Sequence, residues 1–179
     1  MALAPQRRRI RLLRWLGTAP VKQSTPQIRR ATHDDTAGIL DCLRAAFNEY
    51  QQDYTERAYC DTVLTPESIE ARFLSSTIFV ATDAMLRVMG TVSFRQADEQ
   101  EGHIRGMAVR PECQGAGIAA HLLQCVEWEL RNRKCSRVSL DTTAPLQRAM
   151  RFYERNGYQR SGKVTDFFGM TLIEYIKEL

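Results

Sequence analysis

The chain has 179 residues, which suits a single domain with a substantial core, and its apolar fraction of 44% and charged fraction of 26% are ordinary for a globular protein. Residues 1–30 carry eight basic and no acidic side chains, which leaves 17 basic and 21 acidic side chains for the rest of the chain. The resulting net charge of −4 argues against a nucleic-acid-binding surface on the folded body, and no apolar run is long enough to span a bilayer.

The five cysteines favour a reducing compartment and give no sign of a metal site. Their number is odd, no pair has C-x-x-C spacing, and no group of histidines and cysteines has the spacing of metal ligands. Cys42 and Cys125 fall at predicted core positions of helices. Cys113 lies in a glycine loop, where we interpret it as a small turn residue rather than a nucleophile, because no histidine is an evident partner for it.

Residues 1–26 are predicted to be a basic extension that the folded domain does not need. The segment contains RRRIRLLRWL and then a connector with Pro20 and Pro26. An arginine-rich, acid-free leader is typical of an organellar transit peptide or a helix on a membrane surface, and it is equally compatible with a disordered tail. We therefore expect a cytoplasmic protein, or an organellar one if the leader is a targeting signal.

The domain proper, residues 27–179, is predicted to begin with a short strand at 27–31 and a helix to about residue 50. Thr32 or Asp34 can cap that helix. The apolar residues on its buried side recur at helical spacing, at Ala37, Leu40, Leu43 and Phe47.

Residues 51–64 are polar and show no clear period. They are predicted to be a loop, either one that binds an acceptor substrate or a plain surface connection. Thr65 then caps a helix that has Pro66 in its first turn and runs to about Leu74.

The second half of the domain is predicted to alternate strands with two helices. The helices begin at Ile118 and just after Pro145, and Asn156-Gly157 closes the second one. The strands are expected at residues 77–81, 87–94, 103–109, 138–140, 158–164 and 170–177. The predicted order of elements is β-α-α-β-β-β-α-β-α-β-β.

A glycine loop between the central strand and its following helix predicts an anion site. Pro111 ends the strand because proline has no amide to donate. Gly115 and Gly117 lie immediately before the helix that begins at Ile118, and such glycines let a ligand approach the backbone closely. The unpaired amides of the first helical turn and the helix dipole favour a phosphate there.

Two common nucleotide loops do not fit this segment. A Walker-type loop needs lysine and then serine or threonine where Ile118-Ala119 stands, and the dinucleotide fingerprint needs a third glycine. Gln114-x-x-Gly117-x-Ala119 instead resembles the acetyl-CoA signature of the GNAT N-acetyltransferases. The plainer alternative is a strand-to-helix turn with incidental glycines.

A second motif of the same family follows in the expected order. The strand at 138–142 and the segment Ala149-x-x-Phe152-Tyr153-Glu154-Arg155-x-Gly157-Tyr158 resemble the family's pattern of a strand followed by A-x-x-L/F-Y-E-K/R-x-G-F/Y. The resemblance covers about residues 27–179.

The resemblance implies an α/β fold with a mixed, mostly antiparallel twisted sheet flanked by helices, in which the central strand and the next one splay apart. Acetyl-CoA would enter that gap, with its pantetheine arm along the backbone of Met107, Ala108 and Val109. Its diphosphate would lie on the loop formed by Gln114, Gly115, Ala116, Gly117, Ile118 and Ala119.

The resemblance also implies that an amine attacks the thioester directly, with Tyr153 as the general acid for the departing thiolate. The family often has a glutamate on the central strand as the base, and His103 stands at that place here. Glu101 or a chain of waters are the alternatives. Many members have an asparagine where this chain has Leu146, so its contact is not carried over.

We therefore predict an acetyl-CoA-dependent N-acetyltransferase without a metal. The acceptor is expected to be a primary amine of a small molecule, an amino acid, a peptide or a protein, and its specificity is expected to reside in residues 51–64 and 165–169. A non-catalytic acyl-CoA-binding sensor is the alternative. No nucleic-acid partner is expected for the body, and a homodimer is possible.

Overall fold

A computed structural model describes residues 26–179 of the chain. The predicted basic extension lies, except for Pro26, outside the described residues. The described part forms a seven-stranded sheet in the order β1-β2-β3-β4-β5-β7-β6, with helices on both faces. The predicted fold class, a mixed and mostly antiparallel sheet flanked by helices, is confirmed.

The strands and helices have the following bounds. The strands are β1 (Gln27–Arg30), β2 (Thr77–Thr82), β3 (Val88–Gln96), β4 (Glu101–Val109), β5 (Arg137–Thr143), β6 (Gln159–Phe167) and β7 (Met170–Glu178). The helices are α1 (Thr36–Phe47), α2 (Glu56–Val63), α3 (Pro66–Ser75), α4 (Ile118–Asn132) and α5 (Gln147–Arg155). None of the helices in residues 26–179 has both the length and the apolar character needed to cross a membrane.

The predicted order was wrong at one place, because the segment expected to be a loop contains helix α2. Thr55 begins this helix, and its hydroxyl accepts a hydrogen bond from the Ala58 amide at 3.3 Å. The helix has eight residues and buries Ala58 and Val63. So short a helix with so few apolar residues produces no visible period in the sequence.

The pairing of β4 with β5 is short, and it is the feature that opens the sheet. These two strands are parallel and pair only from Glu101↔Arg137 to Ile104↔Leu140. On its other edge β4 stays paired with β3 as far as Val109↔Gly90. The last part of β4 therefore has a neighbour on one side and a gap on the side of β5.

A bulge at Gly106 bends β4 at the start of that gap. Gly106 has a φ of +62°, a conformation that glycine adopts without strain. The register with β3 shifts between Thr91 and Ser93, so that the bulged strand has one residue more than its partner. The bend separates the end of β4 from β5.

Two apolar clusters, one on each face, hold the helices to the sheet. The cluster under α4 and α5 contains large side chains that are almost fully buried, among them Phe94, Ile104, Leu122, Leu130, Leu140, Tyr158 and Tyr175. The other lies under α1, α2 and α3 and includes Ile39, Leu43, Ile69 and Val80. Cys42 is buried as predicted, whereas Cys125 is only half-buried.

Glu127 ties α4 to the strands at the far edge of the sheet. It is 5% exposed, and both its carboxylate oxygens accept from Lys177 Nζ at 2.8 Å. The hydroxyl of Tyr158, itself buried, also donates to Glu127, at 3.1 Å. A buried carboxylate with this many donors is well satisfied, and removing it leaves two polar groups without a partner.

We expect Glu127→Gln to lower the free energy of unfolding by about 2 kcal/mol. Without the carboxylate, the ammonium group of Lys177 loses its counter-ion in a largely buried place. Urea denaturation would measure the change. Glu70→Gln, on the exposed side of α3, is the matched control and should leave the midpoint nearly unchanged. Equal midpoints for the two variants would contradict a structural role for the Glu127 cluster.

Candidate active site

A cleft of about 910 Å³ lies where β4 and β5 separate. Its size is that of a small-molecule or cofactor site. Strands β4 and β5 form its floor, and its walls come from both faces of the sheet. The wall residues include Phe47, Tyr54, Asp61, Arg72, Gly115, Gly117, Arg148, Tyr153 and Phe167.

The glycine loop forms one end of this cleft. Gly115 and Gly117 have φ values of +82° and +79°. A Cβ at Gly115 would meet no heavy atom within 4 Å, and one at Gly117 would meet only His121 Cε1, at 3.8 Å. The loop therefore presents bare backbone to open space.

The start of α4 completes an anion cradle at the same end. The first helical hydrogen bond is donated by the His121 amide to the Gly117 carbonyl at 3.1 Å. The amides before it belong to the first turn and have no partner within the helix. Ile118 and Ala119 line the cleft, whereas Ala116 is exposed in the loop and does not line it. Free amides at a helix N-terminus suit a phosphate.

Gln114 connects the loop to both β4 and α5. Its side-chain amide donates to the Val109 carbonyl at 3.2 Å and accepts from Arg148 Nη2 at 2.8 Å. This bridge holds the cradle against the open end of β4.

Helix α5 adds a basic stripe that the sequence analysis missed. Arg148, Arg151 and Arg155 all line the cleft. Their spacing of three and four residues puts them on one side of a helix, and that pattern was visible in the sequence. The stripe makes the mouth of the cleft positive and favours an anionic ligand.

The open end of β4 is the part that carries Met107, Ala108 and Val109. All three line the cleft, and Ala108 is paired with Thr91 of β3. This stretch lies beyond the last β4–β5 pair, so the strand edge that faces the gap is free to pair with an extended ligand.

Tyr153 reaches the same place from α5. The side chain is 7% exposed, and its hydroxyl lies 3.8 Å from the sulfur of Met107. Its ring packs near those of Tyr158 and Tyr175. Burial raises the pKa of Tyr153, so the phenol keeps its proton at neutral pH.

His103 lines the cleft at the point where β4 and β5 are still paired. Its Nδ1 lies 3.0 Å from Ser139 Oγ, and its Nε2 lies 3.5 Å from Asp141 Oδ2. Burial lowers the pKa of His103 and outweighs the opposite effect of Asp141, while burial raises the pKa of Asp141. The imidazole is therefore held neutral.

Glu101 does not line the cleft and acts on His103 through Ser139. The Ser139 hydroxyl donates to Glu101 Oε1 at 2.5 Å, and Arg137 Nε donates to the other oxygen at 2.9 Å. Because the serine has one hydrogen and gives it to the carboxylate, its oxygen accepts from Nδ1–H of His103. In this tautomer Nε2 keeps its lone pair, and it lies beside Asp141 Oδ2 at 3.5 Å.

Ser139 and Asp141 were not predicted as partners of His103. The parallel register places Ser139 beside His103, and Asp141 follows two residues later on the same face of β5. The sequence shows the alternation along β5, but it does not show the register between two strands that are far apart in the chain.

The two segments predicted to hold acceptor specificity meet at the cleft. Thr55 donates through its hydroxyl to the Phe168 carbonyl at 2.9 Å, and Arg57 lies over the Phe168 ring at 4.7 Å. Tyr54, which comes just before α2, is hydrogen-bonded to Thr143 of β5 at 2.6 Å. Helix α2 and the β6–β7 turn thus form one wall.

Leu146 and Cys113 also line the cleft, and neither offers a reactive group. Burial, aided by Glu112, raises the pKa of Cys113, which disfavours a thiolate. Within residues 26–179, no cluster of three histidine, cysteine or acidic side chains could hold a metal ion.

A sequence model of the acetyltransferase (GNAT) family matches residues 37–158 of the chain. An uncharacterized N-acetyltransferase of Methanocaldococcus jannaschii is 35% identical over 74 residues, which are 41% of this chain and 47% of that protein. The match thus spans about half the length of that relative.

Solved structures share the fold at low sequence identity. The PaiA N-acetyltransferase of Thermoplasma acidophilum in complex with coenzyme A is 16% identical with a TM-score of 0.73, over 87% of this chain and 100% of that one. A GNAT family acetyltransferase of Elizabethkingia anophelis with acetyl-CoA bound is 16% identical with a TM-score of 0.63, over 88% and 100%.

We expect NMR titration to place the pKa of His103 below the ordinary histidine value of 6.5, because burial disfavours its charged form. Asp141→Asn should lower it further, since the carboxylate that favours the charged ring is gone. His103→Gln assigns the resonance among the three histidines. A pKa that rises in the Asp141 variant would contradict the described pairing.

Proposed function

Because the chain belongs to the acetyltransferase (GNAT) family, we propose that it is an acetyl-CoA-dependent N-acetyltransferase that acts on a primary amine. The observation that carries this proposal is that a free strand edge and an anion cradle lie end to end in one cleft. The two solved relatives with coenzyme A or acetyl-CoA bound support the choice of donor.

The residues of the cleft fit the parts of acetyl-CoA in order. The free edge of Met107, Ala108 and Val109 offers backbone groups to the amide-containing pantetheine arm. The loop from Gln114 to Ala119 offers amides to the diphosphate, and the arginine stripe of α5 adds positive charge for the phosphates. The bound thioester supplies the acetyl group that the amine attacks.

His103 is the proposed general base. It lies in the cleft, its Nε2 keeps a lone pair, and its lowered pKa leaves it neutral and able to accept a proton from the acceptor ammonium. Glu101 was the alternative, but it is occupied by Arg137 and Ser139 and is outside the cleft wall. We therefore assign Glu101 a positioning role, in which it fixes the tautomer of His103.

Tyr153 is the proposed general acid. Its phenol lies beside Met107, at the end of the free strand edge where the sulfur of the thioester is expected. Since burial raises its pKa, it holds a proton to give to the departing thiolate. A base on one side and an acid on the other give the reaction a complete path for the proton.

Thiol release from acetyl-CoA across a panel of primary amines tests the proposal. We expect amine-dependent release with at least one acceptor, above the rate of hydrolysis in its absence. Tight acetyl-CoA binding with no release for any amine would instead favour the non-catalytic sensor. The acceptor panel should include small amines, amino acids and lysine-containing peptides.

Gly117→Glu should weaken acetyl-CoA binding by at least about tenfold, or roughly 1.4 kcal/mol, because it puts a carboxylate where the diphosphate is expected. Calorimetry would measure the affinity. Gly162→Glu is the matched control, since Gly162 also has a positive φ, of +90°, and open space around it, but lies on β6 away from the cleft. Equal affinities for the two variants would contradict the cradle assignment.

Tyr153→Phe should reduce turnover by about 10²-fold with little change in acetyl-CoA affinity, because it removes the acid and keeps the ring. Steady-state kinetics and calorimetry would separate the two effects. Tyr158→Phe removes a buried hydroxyl that bonds Glu127 instead, and it should retain turnover. Full activity in the Tyr153 variant would exclude that residue as the acid.

A further inference from the structure

Arg72 is a buried cation in the wall of the cleft. The residue comes from α3, is 8% exposed and lines the cleft. Its one described polar contact is the bond from Nη1 to Ser93 Oγ at 3.1 Å, and it forms no salt bridge with any of residues 26–179. The nearby Arg105 is different, because Asp61 neutralises it at 3.2 Å.

Most of the guanidinium of Arg72 is free to bind a ligand. Ser93 accepts one of its five N–H groups and donates its own hydrogen to the Arg105 carbonyl at 2.8 Å. Among the side chains of residues 26–179, the one fully buried polar atom without a partner is Thr142 Oγ1. The remaining nitrogens of Arg72 are therefore open to the cleft rather than sealed within the protein.

The charge of Arg72 persists although its surroundings oppose it. Burial, with a smaller effect of Arg105, lowers the pKa of Arg72 to about 10 against a weaker opposite effect of Asp61, so the side chain is still a cation at neutral pH. A buried charge without a counter-ion is unfavourable. An anion that enters the cleft would relieve this cost.

The bulge at Gly106 makes the space for this guanidinium. An added Cβ at Gly106 would lie 3.1 Å from Arg72 Nη1 and 3.4 Å from Ser93 Oγ. Glycine therefore serves two purposes here, since it permits the positive φ and leaves room for the arginine.

The sheet register puts Arg72 close to the proposed base. Ser93, the partner of Arg72, is paired with Arg105, and His103 lies two residues from Arg105 on the same face of β4. Two residues of a strand span about 7 Å. A ligand with an anionic group and an amine on the same short unit can thus reach both Arg72 and His103.

We propose that Arg72 binds the carboxylate of the acceptor, and that the acceptor is a free α-amino acid. This inference rests on the proposed N-acetyltransferase function. An arginine fork matches a planar carboxylate in a bidentate manner. Arg72 and Arg105 have one carboxylate between them, that of Asp61, so one positive charge remains to match one carboxylate of a ligand. The aromatic wall of Phe47, Tyr54 and Phe167 leaves an apolar surface for the side chain of the amino acid.

Matched acceptors test this proposal. L-Phenylalanine, L-phenylalaninamide and phenethylamine share an amine and a ring, and only the first has a carboxylate. We expect wild type to prefer L-phenylalanine by about tenfold or more in kcat/KM, mainly through KM. Arg72→Met should remove this preference while its acetyl-CoA affinity stays that of wild type, and Arg72→Lys should keep part of it. The same comparison should be made with L-leucine and isoamylamine.

Arg44→Met is the control for the loss of one positive charge, because Arg44 is an exposed residue of α1 outside the cleft. It should leave the preference unchanged. Equal use of acids and amines by wild type would overturn the proposal. So would an Arg72→Met variant that binds acetyl-CoA normally and keeps the preference, or one that loses activity equally with every acceptor, since either result would make Arg72 a structural residue.

A binding measurement keeps the proposal testable if no amine releases thiol, the result that would refute the proposed enzymatic function. N-Acetyl-L-phenylalanine and N-acetylphenethylamine can be titrated into the protein saturated with coenzyme A. Binding of the acid that is at least about tenfold tighter than that of the neutral compound, and that is lost in Arg72→Met, would support the carboxylate site. Equal binding of the two compounds would overturn it.

Discussion

The separation of β4 from β5 is the constraint on which the rest of the site depends. The two strands pair over only four residues each, and the bulge at Gly106 turns β4 away immediately afterwards. This arrangement leaves a strand edge unpaired in the middle of a sheet, which is costly unless water or a ligand satisfies it. The apolar clusters on the two faces of the sheet fix the helices on either side of the gap. The cleft is therefore formed by the packing of the fold.

The short paired segment of β4 and β5 also positions the residues around the proposed base. Because β4 and β5 are in parallel register there, His103 meets Ser139, and Ser139 meets Glu101. The tautomer of the histidine therefore depends on the same pairs that define where the gap begins. Tyr153 approaches from the opposite face of the sheet, where α5 packs, and reaches Met107 just past the bulge. The proposed base and acid are thus separated by the sheet, with the free edge between them.

Much of the fold was predictable because its signals are local. Strand alternation, helix caps and the glycine loop predicted every strand and α-helix of residues 26–179 except α2, whose eight residues are too few to show a period. The bulge in β4 could have been predicted from Gly106, since a glycine inside a strand often indicates a bulge. The partners of His103 and the buried position of Arg72 were not predictable, because strand register and burial arise only when distant segments pack together. The arginine stripe of α5 was readable from its spacing and was overlooked.

Hydrogen–deuterium exchange with and without acetyl-CoA would show whether the ligand covers the free edge of β4 and the glycine loop, because it reports on their backbone amides. We expect slower exchange in the peptides that contain residues 105–109 and 114–119, with little change in the exposed edge strand β6. Saturating acetyl-CoA that leaves exchange unchanged in both of these peptides would contradict the assignment of the gap and the cradle as the donor site.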